Sequence, residues 1–241
     1  MAGQTAIEWT NATWNPTSGC QKISPGCDHC YAERFAERWR GVPGNYFENG
    51  FDLQLRPNML GRPSSWRKPQ LVFVNSMSDL FHVGVPDEYV DRVFDEMEAV
   101  DRHVYQLLTK RPERMRRYVR ARYGVEVAPD QIWFGTTIES GEFAWRADML
   151  REVNAKTRFL SIEPMIGPVD AVDFSGIGWI IVGGESGPGK RPMEPQWARD
   201  VRDRCLEAEI PFFFKQWHKG GTGRELDGRT WDGMPERPAA V

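Results

Sequence analysis

Short apolar runs rich in β-branched and aromatic residues recur along the chain, and amphipathic stretches separate them. Such runs are typical of buried strands, and the stretches between them are typical of helices that cover a sheet. The pattern predicts strands at Ala6–Trp9, Leu71–Asn75, Val104–Leu108, Ile132–Thr137, Arg158–Ile162, Trp179–Val182 and Pro211–Phe214. It predicts helices, several of which begin with an acidic residue or a proline, at Asp28–Arg40, Asp87–Val100, Pro112–Tyr123, Phe143–Val153 and Gln196–Glu209. This alternation indicates parallel βαβ units.

Right-handed crossovers wind such units into an open sheet or into a full or partial barrel. The chain has 241 residues, of which 40% are hydrophobic, so it can bury a substantial core as a single α/β barrel. It contains no internal repeat, low-complexity tract or long linker, and we therefore expect one domain over residues 1–241. The segment Gly41–Lys68 and the tail after Trp217 interrupt the alternation and are expected to be irregular loops or lids.

The net charge and the lengths of the apolar runs limit the classes of protein to which the chain can belong. A formal net charge of -3 argues against a protein that coats nucleic acid through charge alone, although it allows a local basic groove. The N-terminus has neither the basic start nor the apolar run of a secretory signal, and no later stretch approaches the roughly 20 apolar residues that cross a bilayer. We therefore expect a cytoplasmic protein without a membrane partner.

Polar side chains follow most of the predicted strands. Simple turns favour Gly, Asn, Asp and Pro, whereas these strand ends repeatedly supply an ionisable or hydroxyl side chain. The segments are Asn75–Asp79, Leu108–Lys110, Thr136–Glu139, Ser161–Glu163, Gly183–Glu185 and Lys215–Gln216. Functional groups of both open α/β sheets and barrels gather at the C-terminal ends of the strands, so we expect these side chains to face an active pocket. The alternative is that they cap helices.

The cysteines are unevenly placed. Cys20, Cys27 and Cys30 lie within eleven residues, with six and two residues between them, whereas Cys205 is far away in a helical pattern and is expected to be a core residue. Dispersed disulfides do not fit this spacing, but reduced thiols that bind a metal do. Three thiolates on a four-iron cluster leave one iron open, and S-adenosylmethionine can bind there.

Zinc is the alternative metal for this loop. A structural zinc ion takes four ligands, so a histidine would have to complete the three-cysteine set. The candidates are His29, His82 and His218.

The cysteine loop resembles the cluster loop of the radical S-adenosylmethionine superfamily. It differs in a longer first spacing than the usual three residues and in an aromatic residue, Tyr31, that follows the third cysteine rather than preceding it. A wider set of segments resembles a phage-associated three-cysteine family linked to DNA base modification, over nearly the whole chain. These segments are Trp14–Pro16, Gly26–Ala32, Asn75–Phe81, Leu108–Pro112, Ile162–Pro164 and Gly183–Gly187.

The resemblance implies a partial (β/α)6-type TIM-like barrel with an N-terminal cluster loop. It implies a [4Fe-4S] cluster on Cys20, Cys27 and Cys30, and S-adenosylmethionine as the second cofactor. Reductive cleavage of S-adenosylmethionine would then yield a 5'-deoxyadenosyl radical. An electron donor such as flavodoxin or ferredoxin is expected as a partner.

The remaining candidate site residues lie at the strand ends. Gly183–Glu185 ends about the sixth strand, whereas the superfamily's Gly-Gly-Glu segment that holds the methionine amine ends the second, so Asn75–Asp79 is the better candidate for that role. The predicted cofactor-binding residues are Asn75, Ser78, Asp79, Lys110, Thr137 and Glu139. Of these, Thr137 and Glu139 are expected to reach ribose hydroxyls, since hydroxyls and carboxylates suit such donors.

Three further strand-end residues are predicted to be catalytic: Glu163, Glu185 and Lys215. Either glutamate could bind an amine or move a proton, and the sequence does not choose between these roles. Lys215, like Lys110, could bind the cofactor carboxylate or a substrate phosphate.

A basic stretch offers a contact for a nucleic-acid substrate. Between Lys110 and Arg122 there are seven basic residues and one acidic residue, Glu113, and Arg116 and Arg120 are spaced to share a helix face. This face is either solvated or in contact with phosphates.

The leading hypothesis is a radical S-adenosylmethionine enzyme, of isomerase or lyase type, that acts on a modified thymidine or another nucleobase in phage DNA. The alternative is a zinc-binding nucleic-acid adaptor without catalysis. Iron and sulfide in an anaerobically purified brown protein would support the first hypothesis, and one equivalent of zinc would support the second.

Overall fold

The computed structural model describes residues 2–186, 189–217 and 223–238. The strands in chain order are β1 (Ala2–Gln4), β2 (Ala12–Trp14), β3 (Thr17–Ser18), β4 (Gln54–Leu55), β5 (Leu71–Val74), β6 (Val104–Thr109), β7 (Ile132–Thr137), β8 (Arg158–Ile162), β9 (Trp179–Gly183), β10 (Phe212–Gln216), β11 (Glu225–Leu226) and β12 (Arg229–Thr230). The helices are α1 (Tyr31–Glu37), α2 (Asp87–Ala99), α3 (Pro112–Tyr123), α4 (Trp145–Arg151) and α5 (Pro195–Glu207).

The main sheet has eight strands in the order β1-β2-β5-β6-β7-β8-β9-β10. From β2 to β10 all neighbours run parallel, and β1 is antiparallel to β2. The seven parallel strands curl into a half-barrel. The barrel is open because the two edge strands of the sheet, β1 and β10, do not pair with each other in the described part of the chain. The partial TIM-like α/β barrel expected from the sequence is therefore confirmed.

Alternate side chains of the strands point to the two faces of the half-barrel. On the outer face Val72, Leu107 and Phe134 belong to the large cluster that packs strands against helices. The inner face is aromatic at the N-terminal ends of the strands, where Trp179 contacts Trp133, with ring centroids 6.1 Å apart, and three other rings. Those rings are Trp9, Phe159 and Phe213. Farther toward the C-terminal ends, several inward positions are small or polar, among them Gln106, Gly135, Ser161 and Lys215, whereas Phe73 and Ile181 extend the apolar cluster.

The prediction of a first strand at Ala6–Trp9 was wrong. That segment is a bend and a turn, and the first parallel strand is β2. The side chains of Thr10 and Asn11 bond to the backbone carbonyl and N–H of Leu71, each at 3.0 Å, so the regular ladder begins only after them. Trp9 instead packs into the inner aromatic cluster.

The helix predictions differ from the structure mainly at their ends. The stretch Pro112–Tyr123 was predicted with the observed bounds, but the helix predicted from Asp28 begins at Tyr31, because a short 3-10 turn at Pro25–Cys27 and the third cysteine precede it. None of the helices in the described residues is long and apolar enough to cross a membrane.

Candidate active site

The cysteine loop, residues 19–30, follows β3 and lies across the C-terminal ends of the parallel strands. It begins at Gly19, which bridges to Ser78 beyond the end of β5 and donates from its N–H to the Met77 carbonyl at 3.0 Å. Gly19 has a φ of +82°, and a Cβ there would lie 2.2 Å from the carbonyl oxygen of Asp52. Only glycine fits this entry to the loop.

The three cysteines of the loop are free and partly exposed, whereas Cys205 is buried in the core, as the helical pattern predicted. Burial, reinforced by the charge of Asp79, raises the pKa of the Cys20 thiol to about 11, and burial also raises the pKa of the Cys30 thiol. A thiol must lose its proton to bind a metal, so metal loading of this loop will release protons.

A first anchor joins the loop to the ends of β5 and β6. Asp79 accepts a hydrogen bond from Arg111 at 2.9 Å and one from the hydroxyl of Thr109 at 2.7 Å. The same arginine donates to the carbonyl of Gln21 at 3.0 Å and lies 3.6 Å from the sulfur of Cys20. Asp79 therefore positions the arginine that holds the first cysteine.

A second anchor is the carboxylate of Glu139, just after β7, which is fully buried. It accepts hydrogen bonds from the Ser24 hydroxyl at 2.7 Å and from Arg146 at 3.0 Å, and Lys110 lies 3.3 Å away. A Cβ at Gly26 would lie 2.4 Å from its Cγ, so the loop packs directly on this side chain. Glu139 holds the middle of the cysteine loop against two cations.

A third anchor is Glu185, after β9. It accepts from Nδ1 of His29 at 2.9 Å and from the backbone N–H of Arg191 at 2.9 Å, and it pairs with the Arg191 guanidinium. Arg191 also donates to the carbonyl of Pro25 at 2.8 Å. Burial raises the pKa of the Glu185 carboxyl, but the hydrogen bonds from Arg191 and His29 outweigh burial and lower it to about 2. Glu185 is thus a carboxylate at neutral pH.

The inner face of the half-barrel beneath the loop carries one ion pair. Lys215 on β10 lies 3.0 Å from Glu163, which follows β8 and also accepts from the Ser161 hydroxyl at 3.2 Å. A Cβ at Gly183 would lie 2.4 Å from a carboxylate oxygen of Glu163, so glycine at the end of β9 makes room for this side chain. Both charged side chains remain partly exposed. This pair can contact a bound molecule without breaking a structural anchor.

Asn75 and Ser78 belong to a buried polar network. The Asn75 amide donates to the hydroxyl of Thr17 at 2.6 Å, and that hydroxyl lies 2.8 Å from the hydroxyl of Ser78. Asn75 has a φ of 64°, and its side-chain oxygen has no hydrogen-bond partner among the described residues. An unpaired buried acceptor is costly unless another donor binds it. Thr137, 3% exposed, ends β7 beside Ser161.

A shallow cleft of about 450 Å³ opens beside the second anchor. It is lined by Pro25 of the cysteine loop, by residues 140–142 after β7, and by Ile166 and Pro168.

The structure thus brings all twelve predicted site residues to one edge of the sheet. Asp79, Glu139 and Glu185 accept hydrogen bonds from side chains that the sequence did not indicate as site residues: Arg111, Ser24, Arg146, Arg191 and, as a partner of Glu185, His29. Thr17, also not predicted, binds Asn75. Arg111 was the most accessible signal, because it follows Lys110 at a strand end. Gly187 of the resemblance segment and His218 lie outside the described residues.

Among the described residues, the cysteine loop contains no preformed site for a single zinc ion. Zinc holds its ligand atoms about 2.0 to 2.3 Å away, so the ligands must converge on one point. Among the described residues, no three His, Cys, Asp or Glu side chains do so. Two candidate histidines have other partners: His29 bonds to Glu185, and His82 accepts from the N–H of Gly84. Three thiolates from one loop are the donor set of a four-iron cluster that keeps one iron open.

The basic stretch on α3 is largely balanced by acidic side chains. Arg122 contacts Asp95 at 2.6 Å and two other carboxylates of α2, and Arg114 and Arg116 pair with Asp87 and Glu152. Arg117 and Arg120 are exposed. This pairing favours the solvated interpretation of the α3 face over phosphate contact.

Solved structures with the same fold are forms of spore photoproduct lyase. The complex with dinucleoside spore photoproduct matches with a TM-score of 0.51 at 12% identity, over 86% of this chain and 64% of that one. A double mutant with bound AdoMet and dinucleoside spore photoproduct matches with a TM-score of 0.51 at 11% identity, over 85% and 64%. A Cys-to-Ser mutant matches with a TM-score of 0.54 at 10% identity, over 91% and 79%. The chain thus spans about two thirds of the length of the first two structures.

A search of curated proteins found no match. A protein-family model, described as a protein of unknown function, matches residues 4–235. Since this match covers almost the whole sequence, the chain belongs to the DUF5131 family.

Proposed function

We propose that the protein is a radical S-adenosylmethionine enzyme whose Cys20, Cys27 and Cys30 hold a [4Fe-4S] cluster. The observation that carries the proposal is the cysteine loop itself: three partly exposed thiols, fixed by three charged anchors above the C-terminal mouth of a half-barrel. A cluster with three protein ligands leaves one iron open for S-adenosylmethionine. The bound cluster and cofactor would supply a 5'-deoxyadenosyl radical, and the residues of this chain bind, orient and exclude water around it.

The roles of the strand-end residues follow from their partners. Glu163 and Lys215 lie on the inner face and keep some exposure, so they are proposed to contact the substrate, where either could hold or move a proton. The unpaired oxygen of Asn75 is proposed to accept from the methionyl ammonium, with Ser78 beside it. Thr137 is proposed to lie nearest the ribose.

The anchors have a different proposed role. Asp79 and Glu139 support cofactor binding indirectly, because each already accepts hydrogen bonds that hold the cysteine loop. Glu185 is bound in the same way and positions the loop rather than shuttling a proton, and Lys110 balances the charge of Glu139.

The proposed substrate is a nucleobase, and the finer proposal is a modified thymidine in phage DNA. The finer proposal derives from the sequence resemblance, and the shared fold with structures that contain a dinucleoside photoproduct supports the general class. If the base lies in a duplex, it must be extruded to reach the interior, which costs a few kcal/mol. Both candidate reactions, rearrangement of the base and lyase-type repair, would begin with abstraction of a hydrogen atom from the substrate.

Anaerobic reconstitution tests this proposal directly. The full chain, supplied with iron and sulfide, should become brown and bind about four of each per chain. After reduction it should cleave S-adenosylmethionine to 5'-deoxyadenosine and methionine. Replacing Cys20, Cys27 or Cys30 by Ala should abolish cleavage, whereas Cys205→Ala should leave the iron content unchanged because Cys205 lies in the core. One equivalent of zinc and no cleavage would contradict the proposal.

A further inference from the structure

An exposed row of aromatic side chains runs along the first helix after the cysteine loop. Tyr31, Phe35 and Trp39 are 47%, 38% and 39% exposed and recur every four residues, so they share one side of the helix and the turn that follows it. The adjacent side is buried at Ala32 and Ala36, beside Phe47, which contacts the edge of Phe35. Large exposed rings in such a row are rare on a surface that binds nothing.

The row begins at the mouth of the half-barrel. Tyr31 directly follows Cys30, and its hydroxyl donates to the carbonyl of Ser76, beyond the end of β5, at 2.6 Å. The ring itself is about half exposed. The hydroxyl end of Tyr31 is therefore held beside the C-terminal end of β5, and its exposed ring continues the row to Phe35 and Trp39.

Two arginines flank the row. Arg34 and Arg38 lie on the side of the rings away from the buried alanines, since helix positions turn by about 100° per residue. The carboxylates of the same helix are paired: Glu33 with Lys22 at 2.9 Å, and Glu37 with Arg40 at 2.6 Å. Arg40 also pairs with Asp52 at 3.0 Å, so Arg34 and Arg38 leave this surface with a net positive charge. Arg38 is exposed and has no carboxylate partner among the described residues. The face is thus locally cationic, although the whole chain has a net charge of -3.

We propose that this face, made by Tyr31, Arg34, Phe35, Arg38 and Trp39, binds a single-stranded or locally opened DNA strand whose target base enters the half-barrel. The rings stack on successive bases and the guanidinium groups contact phosphates, which is how sequence-tolerant binding of single strands works. The inference rests on the proposed nucleobase substrate and deepens it, because it selects polymeric DNA over a free nucleoside. An electron-donor protein has no need of a face that leads into the reaction chamber, whereas a strand that delivers a base does.

Binding of a fluorescein-labelled single-stranded oligothymidylate to the reconstituted full chain tests the inference. Trp39→Ala is expected to lower the affinity about tenfold, as removal of one stacking ring does. Trp145→Ala is the matched control, since Trp145 is 41% exposed on α4. Arg38→Gln should reduce the slope of log affinity against log salt by about 0.7, because one fewer counterion is released. Arg117→Gln on α3 is its control and should leave the slope unchanged.

The outcomes separate this inference from the proposed function. Unchanged DNA affinity in Trp39→Ala and Phe35→Ala, or no binding of the oligonucleotide by the parent protein, would overturn the DNA face. S-adenosylmethionine cleavage by the same preparations would still support the radical chemistry. If Trp39→Ala instead slows reduction of the cluster by reduced flavodoxin and leaves DNA affinity intact, the face serves the electron donor and the inference fails. Thermal unfolding and iron content verify that each variant is folded and loaded.

Discussion

Arg111 contacts Asp79 and, through the same guanidinium nitrogen, lies 3.6 Å from the sulfur of Cys20. The ion pair, with an N–O distance of 2.9 Å, is almost fully enclosed. A carboxylate that the sequence predicted to bind the cofactor therefore holds the arginine that contacts Cys20. The first prediction follows from this relationship.

Asp79→Asn should destabilise the metal-free protein by about 3 kcal/mol, because removal of one partner leaves the other charge buried and unpaired. The free energy of unfolding in urea measures this effect. Asp130→Asn is the control, since Asp130 pairs with Lys156 at 2.7 Å on the surface, where such pairs contribute at most about 1 kcal/mol. If Asp79→Asn instead binds S-adenosylmethionine more weakly and unfolds with an unchanged free energy, Asp79 contacts the cofactor directly.

The Glu139 anchor should behave as a coupled unit with Arg146. Glu139→Gln alone leaves the buried guanidinium without its carboxylate and should cost about 3 to 5 kcal/mol. The double variant with Arg146→Met should lose less than the sum of the single variants, because it removes both charges. Unfolding free energies of the four proteins give the coupling. Additive losses would show that the two side chains act independently. Glu142→Gln is the control for the change from glutamate to glutamine, since Glu142 is exposed nearby.

Glu185 should contribute stability that depends on pH. Its pKa is about 2 in the folded protein and 4.5 ordinarily, so the unfolded chain binds more protons between these values. The contribution of Glu185 to the free energy of unfolding is complete above about pH 5 and is lost as the pH falls through the folded pKa. The difference between the two pKa values corresponds to about 3 kcal/mol. The parent should therefore be more stable than Glu185→Gln at neutral pH, by a margin that shrinks toward about pH 3. A constant margin in urea unfolding at both pH values would contradict the assignment.

Lys215→Met should separate cofactor cleavage from substrate turnover. Because Lys215 pairs with Glu163 inside the half-barrel and not with the cysteine loop, 5'-deoxyadenosine should still form without substrate. Product formation should fall by about 10² or more if this pair moves a proton. Lys156→Met, at an exposed pair, provides the control. Equal loss of both activities would place Lys215 at the cofactor instead.

The fold was predictable because its signals are local. Alternating apolar runs and amphipathic stretches specify a parallel sheet, and α3 was predicted with its observed bounds because a proline begins its apolar pattern. The first strand was mispredicted because Ile7 and Trp9 pack against the inner cluster although their segment does not join the ladder. Hydrophobicity reports burial, not backbone pairing.

The candidate site was predictable in position but not in pairing. Cysteine spacing and polar strand ends indicated the correct edge of the sheet, since each is visible within a few residues. The partners of the carboxylates come from far away: Ser24 is 115 residues from Glu139, and His29 is 156 residues from Glu185. The local sequence around a carboxylate at a strand end does not show whether that carboxylate faces a ligand or an arginine. Only the folded arrangement distinguishes an anchor from a free ligand.

The inner aromatic cluster has a consequence for how molecules can approach the inner face of the half-barrel. The rings of Trp133, Phe159, Trp179 and Phe213 fill the N-terminal half of the barrel, so the chamber beneath the cysteine loop is blind-ended. Glu163 is therefore reached from the C-terminal ends of the strands or from the open side between the edge strands, and not through the N-terminal end of the half-barrel. A molecule bound beside it has the aromatic rings as the floor of its site.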